Sequence, residues 1–210
     1  MASVSTKDIL LDTAEKLFAE KGIKETSLRD ITALANVNLA SVNYHFGSKD
    51  GLINGVIVRR INPLNEERFR LLEELNEIYT EREVPVEKIL YALLIPGIRL
   101  CFSNPHFLRF AGQIVSDPDK EVYHIFVSQF EQVFKRFRDA FKCSLTHLPE
   151  HELMWRMHFL IGAMIHTWTN HSGLNWLSGG VCKLNNEEEV ANRLIGFCSA
   201  GLKAPLVKLI

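Results

Sequence analysis

Ala40, Ser41, Asn43, Tyr44 and His45 set a hydroxyl, a carboxamide, a phenol and an imidazole into one short stretch of chain. Val42 and Phe46 fall between them at i, i+4 spacing, so a helix over Leu39–Phe46 has one apolar face and one small, polar face. That outer face has the size and the hydrogen-bonding groups to enter a DNA major groove. The competing reading is a three-helix cap on a larger core. Covalent chemistry finds less support. The chain has no His-Glu-x-x-His, no Gly-x-x-x-x-Gly-Lys and no Gly-x-Ser-x-Gly. Among its eight histidines, His147 and His151 straddle Pro149. His158 and His166 stand about 12 Å apart along a standard helix. Neither pair makes a ligand set, so no catalytic residue, metal or cofactor is expected.

The elements around this stretch are legible from periodicity and punctuation. Ile9, Leu10, Thr13, Ala14, Leu17 and Phe18 give a first amphipathic helix that Gly22 ends. Ser27 and Asp30 form a capping box for a second helix, whose apolar positions are Leu28, Ile31, Leu34 and Ala35. Asn36 tolerates the left-handed turn between helices, and Asn38 is a good cap for the third. Gly47 and Ser48 close that one. A long helix then runs from Lys49 to about Ile78, with a kink or break expected at Pro63. Further helices are expected over Val86–Ser103, Pro105–Ser116, Lys120–Cys143, Glu150–Asn170 and Glu187–Lys203, with a loop from Asn175 to Asn186. No strand pattern is present. The expected fold is all-α, with a helix-turn-helix head over residues 1–50 and a larger helical domain over 51–210.

Residues 9–60 resemble the DNA-binding head of the TetR family of bacterial repressors. The resemblance rests on Ala14-Glu15-Lys16-Leu17-Phe18, Gly22, Thr26-Ser27, Ile31, Ala35-Asn36-Val37-Asn38, Tyr44-His45-Phe46, Lys49 and Leu52. The family usually carries Gly at position 36 and Ser or Thr at 38; the asparagines here keep the turn and the cap. The resemblance implies that Thr26 and Ser27 meet phosphate at a helix N-terminus. It places Arg29 toward the groove and makes Asn38, Leu39, Ala40, Ser41 and Asn43 contacts to the operator, the last four as base readers. Tyr44, His45 and Lys49 become backbone clamps. The run Val37–Lys49 is similar to the recognition segment of TetR-type regulators of fatty-acid metabolism, which implies a fatty acid or acyl-CoA effector.

The remainder of the chain must then supply a partner surface and an effector site. One head reads few base pairs, so a homodimer on a near-palindromic double-stranded operator is expected. Glu150–Asn170 is apolar almost all round, and the family pairs its last two helices with their symmetry mates. Leu160, Met164, Trp168, Leu194, Ile195 and Cys198 are the expected interface. Pro96 frees the carbonyl of Ala92 and can open a cavity. With Phe102, Phe107, Phe110, Phe126, Phe130, Trp155 and His158, it is expected to line a pocket for a hydrophobic small molecule. No buried cluster of Arg and Lys is visible, which argues against a strongly anionic ligand buried whole.

Charge and composition set the outer bounds. The 210 residues carry a net charge of -1 and are 47% hydrophobic, which excludes disordered and collagen-like chains. Residues 1–60 hold eight basic and seven acidic side chains, so a modest salt dependence of DNA binding is expected. The four scattered cysteines, the want of a membrane-length apolar run and the polar start of the chain fit a cytoplasmic protein with no membrane partner. A helical carrier or interaction module without DNA binding is the alternative. The outward set on the third helix discriminates, since a carrier has no use for it.

Overall fold

Local hydrogen bonds explain where the early helices begin and end. In the computed structural model, which describes residues 5–116, 120–183 and 185–206, Ser5 caps α1 (Thr6–Lys21) by accepting from Asp8 N. Both bonds of the Ser27–Asp30 capping box form at the start of α2 (Leu28–Ala35). Asn36 adopts φ 52°, the left-handed conformation the turn needs, and the Asn38 Oδ1 accepts from Ala40 N at 2.8 Å to start α3 (Leu39–Phe46). Gly47, at φ 75°, ends it. The remaining helices are α4 (Lys49–Ile78), α5 (Val86–Ser103), α6 (Pro105–Ser116), α7 (Lys120–Ser128), α8 (Glu131–Ser144), α9 (Glu150–Thr169), α10 (His171–Leu177) and α11 (Glu187–Lys203). The fold is all-α, and no described helix is long and apolar enough to cross a membrane.

Of the kink or break expected at Pro63, the break does not occur: α4 runs unbroken over thirty residues with the ring exposed to solvent. A proline in a helix forfeits one bond, and the flanking Ile61 and Leu64 remain buried and anchored. The expected single helix over Lys120–Cys143 is two. Gln129 N to Phe126 O and Phe130 N to Val127 O are i to i−3 bonds that tighten and stop α7. The expected loop at Asn175–Asn186 begins inside a short helix, α10, and turns at Gly179 and Gly180, both at positive φ.

Packing divides the chain into two units: Met1–Pro63 with Asn104–Phe130, and Leu64–Ser103 with Glu131–Ile210. The boundary drawn along the chain at residue 50 therefore differs from the grouping by packing. In the first unit the fully buried Phe18 stacks on Phe110 at 5.6 Å, and Gln113 Nε2 donates to Ala19 O at 3.3 Å, so α6 packs with α1. Each such buried aromatic contributes about 1.5–3 kcal/mol. Buried Glu15 accepts from Arg59 and Arg60, joining α1 to α4. The second unit has a core of Ile89, Leu90, Leu94, Phe137, Phe141, Leu153 and Met157, among others. Arg156 donates to Leu202 O and Ala204 O, satisfying carbonyls at the end of α11.

Candidate nucleic-acid interface

The recognition helix is held from beneath and left open above. Val42 is fully buried, while Leu39, Ala40, Asn43 and Tyr44 are exposed and Ser41 and His45 half-buried. Tyr44 is 86% exposed and sits edge-on to His45 at 4.9 Å between ring centroids. An apolar ring and a phenol left in water have no role in the core, so this face is available to a partner. Arg29 on α2 is exposed as well.

Support for α3 comes from the start of α4, and two glycines that the sequence did not single out supply it. Ser48 Oγ accepts from Gly51 N at 3.1 Å, capping α4. A Cβ on Gly51 would lie 2.0 Å from Phe46 O. One on Gly55 would lie 3.0 Å from the Phe46 ring and 3.1 Å from Leu11 Cδ2. Without side chains at 51 and 55, α4 approaches the end of α3 closely. The signal was present as Gly51-x-x-x-Gly55 within an otherwise helical stretch.

Several of the expected contacts have internal duties. Thr26 is fully buried, and its hydroxyl donates to Gly22 O at 2.7 Å and Leu17 O at 3.3 Å. Its side chain therefore fastens the turn after α1 and cannot meet phosphate. Ser27 is exposed, but its hydroxyl donates to Asp30 Oδ2 at 2.6 Å. The Ser27 hydroxyl and amide together hold the Asp30 carboxyl below the usual carboxylate range. The Asn38 carboxamide oxygen is engaged as the α3 cap. Lys49 is half-buried and donates from Nζ to Ile23 O at 2.5 Å, tying α4 to the loop that follows α1.

The eight residues expected to line a pocket fall in both units, and the aromatic ones mostly contact neighbouring rings. Phe107 and Phe110 are core of the first unit, where Phe126 also meets Phe130 edge-on at 5.3 Å. Pro96 is core of the second unit. Phe102, Trp155 and His158 are exposed, with Trp155 stacked on Phe159 and edge-on to His158. A cavity of about 260 Å³ in the first unit, beside Ile23 and Gln113, and a groove of about 720 Å³ in the second, between Tyr79 and Cys143, include none of the eight. Basic side chains are nonetheless buried in the second unit. Arg68 is 1% exposed, and burial pushes its guanidinium down to about 9.

The residues expected at the interface lie mostly in or against the core of the second unit. Leu160, Leu194 and Cys198 are buried in the core of the second unit, and Met164 and Ile195 pack against that core. Trp168 is half-buried. The side of α9 facing away from the core carries Trp155, Phe159 and Gly162, and on α11 the exposed residues include Gly196, Phe197, Ala200 and Gly201. Phe159 is 64% exposed and Phe197 72%. A helix apolar all round cannot declare from periodicity which side the monomer covers.

Comparisons with known proteins bear on both parts of the chain. Residues 10–56 match the family model for bacterial regulatory proteins of the tetR family, and residues 92–201 match the tetracyclin repressor-like C-terminal domain. The HTH-type transcriptional repressor Rv3405c of Mycobacterium tuberculosis is 48% identical over 48 residues, 23% of this chain and 26% of that protein. The matched stretch thus spans about a quarter of that curated relative. A TetR-family transcriptional regulator from Bordetella parapertussis superposes with a TM-score of 0.69 at 15% identity, covering 96% of this chain and 98% of the other. The regulator FadR of Bacillus subtilis, solved with stearoyl-CoA, has a TM-score of 0.67 at 11% identity, covering 92% and 97%. Two family models that together match most of the chain, one over the capped three-helix head and one over the helical remainder, make this protein a DNA-binding transcriptional regulator of the TetR family.

Proposed function

We propose that this regulator is a ligand-gated repressor that binds a near-palindromic operator as a homodimer and leaves it when an apolar effector, a fatty acid or acyl-CoA, occupies the larger domain. In this reading residues 1–50 contact DNA, and residues 51–210 bind the effector and dimerise. The observation that carries it is the exposed face of α3, with Leu39, Ala40 and Asn43 open for base edges and Tyr44 for the backbone. The apolar residues left uncovered on α9 and α11 support a second copy as partner, because those two helices also pack on each other. The stearoyl-CoA bound to the FadR neighbour supports the effector class. Helix α4 offers the coupling, since one unbroken helix belongs to both units, changing at Pro63–Leu64. Effector and DNA affinities must then oppose each other reciprocally.

The test is selection of bound duplexes from a random-sequence pool with the purified protein, followed by anisotropy titration of the winner with and without added acyl-CoA or fatty acid. Enrichment of an inverted repeat with half-sites one helical turn apart, and its release by the lipid, is the expected result. Recovery of no sequence preference would sink the operator reading; a preferred repeat indifferent to every lipid would sink the effector.

A further inference from the structure

The first unit holds a cavity of about 260 Å³ where the turn after α1 meets the end of α6 and the start of α7. One water needs only ~10–15 Å³, and drug-sized sites run from ~300 to ~1,000 Å³, so the space suits a small molecule. Ile114 and Val122, both buried, and half-buried Ile23 make the apolar wall. Gln113 and the exposed Ser116 make the polar one. Gln113 Nε2 donates to Ala19 O at 3.3 Å, whereas Gln113 Oε1 is buried and accepts no hydrogen bond. The desolvation of that oxygen is therefore unanswered. The last torsion of a glutamine is soft, so rotation about it turns the oxygen toward the cavity. The turn is also bonded to the reading head: Ile23 O accepts from Lys49 Nζ at 2.5 Å, where α4 begins just after α3 ends.

We propose that this cavity binds a small neutral alcohol, whose hydroxyl donates to Gln113 Oε1 while its hydrocarbon body lies against Ile23, Ile114 and Val122. A donor is required because the unanswered atom is an acceptor. A neutral donor is favoured because an ammonium group would give up its water for one amide oxygen between apolar walls. Exposed Lys24 and Glu25 border the cavity with opposite charges, so no net charge there draws in an ion. A hydroxyl also accepts, and the Ser116 hydroxyl on the same wall can donate to it. The site differs in place and chemistry from that of the acyl effector proposed for the larger domain, and it does not rest on that reading. Its occupant bears on the turn that Lys49 ties to the start of α4, so binding is felt beside the recognition helix.

The experiment is a proton–nitrogen amide shift titration of the full-length protein with cyclohexanol and with cyclohexanone, which has nearly the same size and lacks the donor. Cyclohexanol is expected to shift the Gln113 side-chain amide, residues 22–25 and 113–116, and Lys49. It should bind about five-fold more tightly than the ketone, the scale of one neutral hydrogen bond. Gln113→Met keeps the length of the side chain without the acceptor and should bring the alcohol down to the affinity of the ketone. If that variant loosens α6 through its lost bond to Ala19, the alcohol-to-ketone ratio on the unsubstituted protein still decides. Equal affinity for the two removes the need for a donor and overturns the proposal. Shifts centred on other residues overturn it as well. No shift from either compound means that the cavity holds water only, with the same consequence. None of these failures touches the operator or the acyl effector, which duplex selection and lipid titration test separately.

Discussion

Side chains that look alike in sequence have opposite duties in the head. Asn43 is exposed on α3, whereas Asn38 caps the same helix with its carboxamide oxygen. Asn43→Ala should relax preference at one operator position by about 1–3 kcal/mol, and Tyr44→Ala should weaken all sequences alike. Anisotropy on a set of single-base operator variants measures both, and a uniform loss for Asn43→Ala would remove it from the readers. Thr26→Val should lower stability by about 1–2 kcal/mol through its two lost bonds, with base preference unchanged. Thermal melts beside the same operator set check this, and an altered preference would return Thr26 to the interface. The neighbouring threonine and serine at 26 and 27 were legible as the start of a helix. That one is buried and the other exposed was not, because burial depends on where α1 packs.

At the same scale Glu87 makes a pH prediction. The Lys203 ammonium and then the Ser199 hydroxyl, donating at 2.6 Å, hold its carboxyl down to about 2, below the ordinary value of 4.5. A depressed folded value stabilises the protein above about pH 4.5, and the contribution is lost as the pH falls toward 2. The carboxylate is 46% exposed, so water screens much of the effect. Glu87→Gln should lower Tm at pH 7 by only about 2–3 °C. The gap from wild type should close in acid. A gap that stays constant from neutral pH into acid would show that the ion pair is not its source.

Among the helices, local signals were readable and tertiary ones were not. The caps at Ser27, Asn36, Asn38 and Gly47 act within four residues, so the boundaries of α2 and α3 followed from sequence. The stop between α7 and α8 did not, because the aromatic stripe from Tyr123 to Phe141 continues across it while the chain changes unit after Phe130. The close approach of α4 to the end of α3 depends on what Gly51 and Gly55 lack. Gly55→Val forces branched carbons toward Phe46 and Leu11 and should cost about 1–3 kcal/mol. It should also weaken DNA binding on every sequence, because Phe46 ends the recognition helix. Amide hydrogen exchange locates the damage: protection should fall in α1, α3 and the start of α4 and persist in α11. Loss spread evenly over the chain would contradict a local role for this contact.

For the whole molecule, the question is which apolar residues the fold leaves for a second copy. Leu160, Leu194 and Cys198 lie on helices that do carry exposed apolar surface, yet they point into the monomer core. Sequence identified the two helices and not their outward sides, because both sides of α9 are apolar. Phe159 and Phe197 are the exposed counterparts, beside glycines at 162, 196 and 201 whose Cβ positions meet nothing within 4 Å. Small residues next to large rings let two helices approach and interlock with their mates. Phe159→Glu with Phe197→Glu should therefore yield a monomer by sedimentation velocity. Its helical circular dichroism and melt should be retained, since neither ring is part of the core. That monomer should lose at least about 4 kcal/mol of operator affinity, because specific binding exceeds what one head provides by that order. A stable dimer after both substitutions would place the symmetry axis elsewhere on the second unit. An unfolded product would show that the two rings support the monomer after all.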